Sequence, residues 1–445
     1  MKKYQILLLF SLLTATSCDS WLDIKADKKQ VVPQTTDELQ ALLDNTNFLN
    51  TNTMSGLLEV STDNLYLTEP EWLSRGNIET RNGYVWAENI NEGNADFSWI
   101  AYYRMVYYAN VALEGAKKIK PDSEAEAIAL QNVMGSALFF RSWAFYHLAQ
   151  LYAIQYKEAT ASSVQGIPLR LTSDIHQKTK RSSLAATYGQ VIDDLLIAID
   201  HLPELPIVET RPSKLAVFGL LSRIFLQMGD FNQALRYAES GLAIKGDLIN
   251  YGEIDSTLRY PFPLLNKEVV FYQTMTTGSF YIDAQLYSLY EDYDYRKSLF
   301  FNPEGTFFKF RGSYSNSRTF FAGLAIDELY LIKSECLARL GRLDEAIESL
   351  KYLIDHRYNV DAGHPTLNHS NILDEILHQR RLQLVYRGLR WLDLRRLNLE
   401  PDREVTLTRE LGDKIYTLPP NSSKYIFVIP DDVIDNNPNL SQNER

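Results

Sequence analysis

Apolar residues recur at helical spacing along much of the chain, most clearly between Ala325 and Arg357. There Leu329, Ile332, Cys336, Leu337 and Leu340 form one stripe. Gly341 interrupts it as a C-cap glycine does. Asp344 and Glu345 then carry negative charge where the dipole of a new helix favours it. Ala346, Ile347, Leu350, Leu353 and Ile354 make a second stripe. Helix, glycine turn and helix in this order is a tetratricopeptide-type hairpin. Such a hairpin cannot bury its own apolar face, so it needs neighbours of the same kind. Lys214 to Lys245 supplies a second one, with Gly229 and Ala234 standing where Gly341 and Ala346 stand later. The two glycines lie much farther apart than a uniform repeat of about 34 residues allows. The predicted fold class is therefore mainly α: scattered tetratricopeptide-type helical hairpins forming a scaffold, with an irregular loop-rich part and a few short strands.

The rest of the pattern places further elements. A short helix is predicted at Asp37 to Asp44, and longer ones at Phe97 to Ile119, Glu124 to Tyr152, Thr187 to Leu202 and Ile372 to Leu397. Asn45 to Glu59 is rich in Asn and Thr and predicts a loop, and Ser61 to Asn94 has little period. Gly166 to Arg170 reads as extended, and Glu268 to Gln273, Thr306 to Phe310 and Tyr425 to Ile429 as strand-like runs. The stretch of about 248–321 is aromatic, Gly-bearing and mostly non-helical, an insertion between the two hairpins.

The first residues change the picture. Two lysines precede the apolar run Ile6 to Leu13, which is too short to span a bilayer and fits a secretory signal. Cys18 follows Ala15, Thr16 and Ser17, the form of a lipoprotein cleavage box. Residues 1–17 are thus expected to be a lipoprotein signal peptide, Cys18 the lipidated first mature residue and 18–36 a tether. The remainder, 37–445, is expected to fold as one domain. Several acyl chains on one cysteine anchor a protein stably. The second cysteine, Cys336, sits in a helical stripe and reads as a small buried hydrophobe. The net charge of −11, with no Lys/Arg-rich block, argues against nucleic acid as a partner.

The ordered motifs Cys18-Asp-Ser-Trp-Leu-Asp23, Arg141-Ser-Trp-Ala-Phe-Tyr146, Gly166-Ile-Pro-Leu169 and Arg390-Trp-Leu-Asp-Leu394 resemble those of the SusD/RagB family, and the resemblance covers nearly the whole chain. The run Cys18 to Asp23 is similar to that family's lipidated start. Arg141 to Tyr146 resembles its first repeat helix, and Gly166 to Leu169 its Gly-x-Pro-Leu segment. Arg181, Tyr188, Asp194, Leu195, Leu202 and Pro203 are spaced as in its next helix. Arg211 to Gly229 and Ala325 to Arg357 resemble its middle and late repeats. Arg380, Gly388 and Arg390 to Leu394 resemble its last-helix signature, and Ile429, Pro430 and Asn437 to Asn443 its ending. The chain departs from the pattern at Gln379, Gln383 and Arg387, where acidic residues are usual, and at Val428, where proline is usual. The first three departures put the ion-pair network of those positions in doubt. The resemblance implies a lipid-anchored protein on the outer face of the cell outer membrane of Bacteroidetes-type bacteria. It implies capture of a glycan, or alternatively a peptide, and delivery to a SusC-like TonB-dependent transporter across a wide, largely polar interface.

The chain contains no His-Glu-x-x-His, Gly-x-Ser-x-Gly, phosphate-binding glycine loop or Cys-x-x-Cys. The seven histidines show no metal-ligand spacing. Glu291, Asp292 and Asp294 lack the glycine and distal Glu of a calcium loop and read as a solvated acidic turn. A glycan-degrading enzyme is therefore the weaker functional class, and no cofactor is predicted. Trp143, Trp391 and Trp99 lie on helical stripes and are expected in the core. Trp72 and Trp86 lie in aperiodic sequence, where a ligand role and a packed-loop role both fit. Sugar C–H faces stack on aromatic planes while amides and guanidinium groups bond hydroxyls. On that basis the expected ligand site is Trp86 as platform, Asn89 and Arg81 as hydroxyl partners, and Trp72 and Tyr281 as walls. Tyr281 also fits a packed role. No metal is expected.

Overall fold

The computed structural model describes residues 33–445, Thr276 excepted. The expected signal peptide, Cys18 and most of the expected tether lie outside the described residues. Ten main helices carry the architecture: α1 (Thr36–Leu43), α2 (Phe97–Ala116), α3 (Glu124–Tyr152), α4 (Leu184–His201), α5 (Lys214–Met228), α6 (Phe231–Ile244), α7 (Ile326–Arg339), α8 (Leu343–Asp355), α9 (Ile372–Gln383) and α10 (Arg390–Leu397). Helices α2, α3 and α4 pack in succession, as do α5, α6, α7 and α8. Their starts are written in the sequence. Thr35 and Glu38 form a reciprocal capping box, and Asp96, Ser123, Ser183, Ser213 and Asp230 each cap the helix that follows.

Both predicted hairpins turn by the same device. Gly229 and Gly341 adopt φ of 80° and 76°. The next residue's N–H reaches back in each: Asp230 to the Phe225 carbonyl at 3.0 Å, Arg342 to that of Leu337 at 2.9 Å. No atom lies near where a Cβ would stand at either site. The left-handed backbone, rather than space, therefore selects glycine.

Trp143 and Trp391 are fully buried, Trp99 is 7% exposed, and Cys336 is a free, buried thiol. They belong to one connected apolar cluster that runs from Leu39 to Ile429.

Four expectations need correction. The helix expected from Ile372 to Leu397 is two helices. Tyr386 and Gly388 turn left-handed between them, at φ of 59° and 72°, and the Gly388 N–H donates to the Glu59 carboxylate at 3.0 Å. The Asn45 to Glu59 stretch holds two one-turn helices, Thr46–Leu49 and Leu57–Val60. Tyr425 to Ile429 joins no described sheet: it leaves a 3-10 turn and docks through the Phe427 N–H on the Leu151 carbonyl at 2.8 Å. Asp294 is not solvated, because it caps Tyr295–Phe300 and pairs with buried Arg296 at 2.7 Å. Glu291 and Asp292 fit the surface reading, both exposed, with Asp292 pairing with Lys297.

The ion-pair network also stands, with other partners. Arg387 grips Asp327 through two hydrogen bonds of 2.8 and 2.7 Å. Gln383 donates to Asp327 at 2.7 Å and accepts from Arg357 at 3.0 Å. Arg357 in turn holds Glu268 at 2.8 Å. An amide both donates and accepts, so Gln383 links a guanidinium to a carboxylate where an acid could only accept.

Candidate functional site: an aromatic ledge and a cationic cleft

The insertion between the hairpins supplies three strands of a four-stranded antiparallel sheet, and Leu65–Tyr66 supplies the fourth. Its strands are β1 (Leu65–Tyr66), β2 (Tyr281–Ile282), β3 (Phe301–Glu304) and β4 (Phe307–Phe310), in spatial order β1-β2-β4-β3. Gly305 and Thr306 join β3 to β4, and Gly305 takes φ of 63°, as a two-residue hairpin turn requires. Register then sorts the side chains. Tyr66 faces Tyr281, Tyr281 faces Lys309, Asn302 faces Lys309, and Glu304 faces Phe307. Alternation sends Phe301, Phe308 and Phe310 to the opposite side.

The outer face is a row of rings. Tyr281 and Phe307 stack at 4.6 Å and 24°, and Phe307 and Tyr66 at 5.5 Å and 27°. All three are half-buried. The Lys309 ammonium lies 4.9 Å from the Tyr281 ring centre and pairs with Glu304. The Tyr281 hydroxyl bonds the Glu71 carboxylate, which raises the phenol above its ordinary range.

This ledge borders a cleft of about 620 Å³, within the usual size range of ligand sites. Phe280, Phe310 and Phe320 line its apolar part, with Tyr260 beside them, and Asn302, Arg259, Arg311 and Arg318 line the polar part. Arg311 is fixed by carbonyls: it donates to those of Ser256 and Ser298 at 3.0 Å each, and to that of Leu258. Arg75 lies over the Phe280 ring at 4.5 Å and donates to the Ser279 carbonyl. Gly278 beside it takes φ of 89°, and a Cβ there would meet Arg75 Nη1 at 2.8 Å.

The expected site residues do not assemble around Trp86. Trp86 is 1% exposed, its indole N–H donates to the Ser61 carbonyl at 2.9 Å, and the Arg409 guanidinium lies 5.3 Å from its ring centre. No face of the indole is open, so Trp86 is a core residue and not a stacking platform. Asn89 is exposed, but its side-chain oxygen accepts from the Glu92 N–H at 2.7 Å within its own loop. Arg81 is half-buried, and its backbone carbonyl accepts the Trp72 indole N–H at 2.9 Å. Trp72 is half-buried with Tyr416 6.4 Å away. Tyr281 alone of the five stands on the ledge, and Glu71, next to Trp72 in the chain, reaches it. Sequence reasoning missed Tyr66, Phe307, Lys309 and the cleft arginines. The signal was present in Phe301 to Phe310, two alternating runs around Gly305 and Thr306.

A second cleft of about 580 Å³ lies along α2, lined by Trp99, Tyr103 and Tyr107. Its rings are less available. Tyr103 donates its hydroxyl to the Pro168 carbonyl at 2.8 Å, and Trp99 is covered by Tyr103 and Tyr152.

Residues 20–226 match the family described as "Starch-binding associating with outer membrane", and residues 326–445 match the one described as "SusD family". The chain belongs to the SusD/RagB family. SusD-like protein P2 of Formosa agariphila is 22% identical over 481 residues, covering 90% of this chain and 91% of that protein. Among solved SusD structures, a superfamily protein from Bacteroides thetaiotaomicron superposes with a TM-score of 0.73 at 19% identity, covering 92% of this chain and all of the other. A SusD-like carbohydrate binding protein from Bacteroides vulgatus does so with a TM-score of 0.71 at 20% identity, covering 92% and 98%. At these identities the structural likeness fixes the SusD fold.

Proposed function

We propose that this chain is a non-catalytic, lipid-anchored protein of the outer cell surface. It captures a glycan on the ledge and cleft and passes it to a SusC-like TonB-dependent transporter. The observation that carries the reading is the row Tyr66, Phe307 and Tyr281 on one sheet face, opening beside Asn302 into the cleft. Exposed grouped aromatics mark binding faces. A sugar presents C–H faces to such a ledge and hydroxyls to the amide and cations beside it. The description of the matched family, starch-binding and associating with the outer membrane, supports the ligand class and the location.

The test is paired. Phe307→Ala and Tyr281→Ala should each weaken glycan binding in titration calorimetry by roughly tenfold or more. Their melting temperatures should fall by no more than about 3 °C. Unchanged glycan affinity in both variants would move the site elsewhere. The transporter half of the reading predicts co-purification of a barrel protein from detergent-solubilised membranes of the native host. Recovery of the lipoprotein alone would count against it.

A further inference from the structure

We propose that the glycan taken by the cleft is acidic, an oligosaccharide bearing carboxylate or sulfate groups. The inference rests on the ledge and cleft being the glycan site. It starts from a contrast of charge. The chain as a whole carries a formal charge of −11. Yet the cleft is lined by Arg259, Lys309, Arg311 and Arg318 against a single carboxylate, Glu304. That carboxylate is already paired with Lys309.

Core arginines fall into two groups: some hold carboxylates, while Arg395 and Arg409 are held by backbone carbonyls, as cleft Arg311 is. Buried Arg223, Arg296, Arg357 and Arg387 each hold a carboxylate at 2.7 or 2.8 Å. Among the described residues no carboxylate pairs with Arg259, Arg311 or Arg318. Arg311 is held in place by three backbone carbonyls, which orient a guanidinium without neutralising it. Arg259 and Arg318 are exposed at the rim, and Arg259 lies against the Tyr260 ring, at 5.3 Å. Arg75, behind Gly278 and Phe280, adds a fourth guanidinium, held by the Ser279 carbonyl with Glu71 nearby.

A neutral sugar needs no such field. Its hydroxyls are served as well by Asn, Ser or backbone groups. Guanidinium groups suit planar or tetrahedral anions, because their fork of donors meets two oxygens at once. A concave surface of one sign also raises the local concentration of an oppositely charged ligand. The ledge would take the apolar faces of the rings, and the arginines the charged substituents.

The experiment uses the full mature chain and three probes: an oligouronide, its carboxyl-reduced neutral counterpart, and a sulfated galactan oligosaccharide. The uronide, the sulfated probe or both should bind at least tenfold more tightly than the neutral counterpart. Which of the two binds distinguishes carboxylate from sulfate recognition. Binding should weaken as salt rises from about 0.05 to 0.5 M. Arg318→Gln and Arg259→Gln, both at exposed positions, should each cost about tenfold for the acidic probe while leaving the melting temperature unchanged.

Equal or tighter binding of the neutral probe, lost on Phe307→Ala, would overturn the acidic preference and leave the glycan site standing. Acidic binding untouched by both Arg318→Gln and Arg259→Gln would overturn it as well. No binding of any of the three probes would overturn both the site and its preference.

Discussion

Arg387 and Asp327 form a two-pronged ion pair at 2.8 and 2.7 Å, with 2% and 0% of their side chains exposed. Burial alone would raise the Asp327 carboxyl. The Arg387 guanidinium outweighs that and holds it below its ordinary range. Tyr314 and Gln383 donate to the same carboxylate. The pair thus ties the turn before α10 to the first turn of α7, which belongs to the late hairpin. Removing one partner strands a buried charge. Asp327→Ala should therefore destabilise by about 3–5 kcal/mol in urea unfolding. The double variant Asp327→Leu with Arg387→Met should cost less than the sum of the singles. Additive costs would show that the pair is not coupled.

Trp86 supplies a second prediction, because it separates core from site. Trp86→Ala should cost about 3–5 kcal/mol, the range for a buried large aromatic. It would empty a space closed by the Ser61 carbonyl and Arg409. Phe307→Ala should cost far less, since Phe307 is half-buried. A Trp86→Ala protein as stable as the parent would contradict the buried placement.

These two residues also mark what the sequence could say. The hairpins were legible because Gly229 and Gly341 punctuate strong apolar stripes, and local chemistry alone requires glycine there. The core tryptophans of α3 and α10 followed from the same period. Trp86 was not legible. It sits at φ of 54°, after a helix of only seven residues, and its burial is created by partners distant in the chain: Ser61 and Arg409. Aperiodic sequence looks the same whether its aromatic rings meet a ligand or a distant arginine. The ledge was half legible. Thr306 to Phe310 reads as a strand, but only the register Tyr66 to Tyr281 to Lys309 reveals which rings share a face.

Anchoring is tested at Cys18, which follows the small-residue run Ala15 to Ser17. Cys18→Ala should release the protein from the outer-membrane fraction, while the parent stays with it through detergent-sensitive attachment. Several acyl chains give stable anchoring and their loss leaves none. A variant that fractionates with membranes as firmly as the parent would remove lipidation from the proposed function.

The last prediction concerns pH and Glu59. Its side chain is fully buried, and its carboxyl oxygens accept from the Asn64 side chain at 2.7 Å and the Gly388 N–H at 3.0 Å. No guanidinium pairs with it among the described residues, and burial lifts it to about 7. Glu79, raised to about 7 by burial and by nearby Asp96, moves the same way. In the unfolded chain a glutamate titrates near 4.3, roughly. Between these values the folded protein holds protons that the unfolded chain has released. Their contribution to stability must then fall as pH rises from about 4.5 to about 7, and level off above. For Glu59 the full effect is roughly 3–4 kcal/mol. Asp63 works in the opposite sense. Burial would raise it, but Arg390 and Arg381 outweigh burial and hold it well below its usual range. Its contribution is lost only at pH below about 4, outside the Glu59 window. Buried His147, held down to about 3 by burial and by Arg223, acts in the opposite sense as pH falls below about 6.5, so the test compares two proteins. In urea unfolding the midpoint at pH 5 relative to that at pH 8 should be higher for the parent than for Glu59→Gln, which cannot ionise. A variant with the parent's full pH dependence would show that Glu59 is charged in the folded protein and that the turn at Gly388 tolerates its charge.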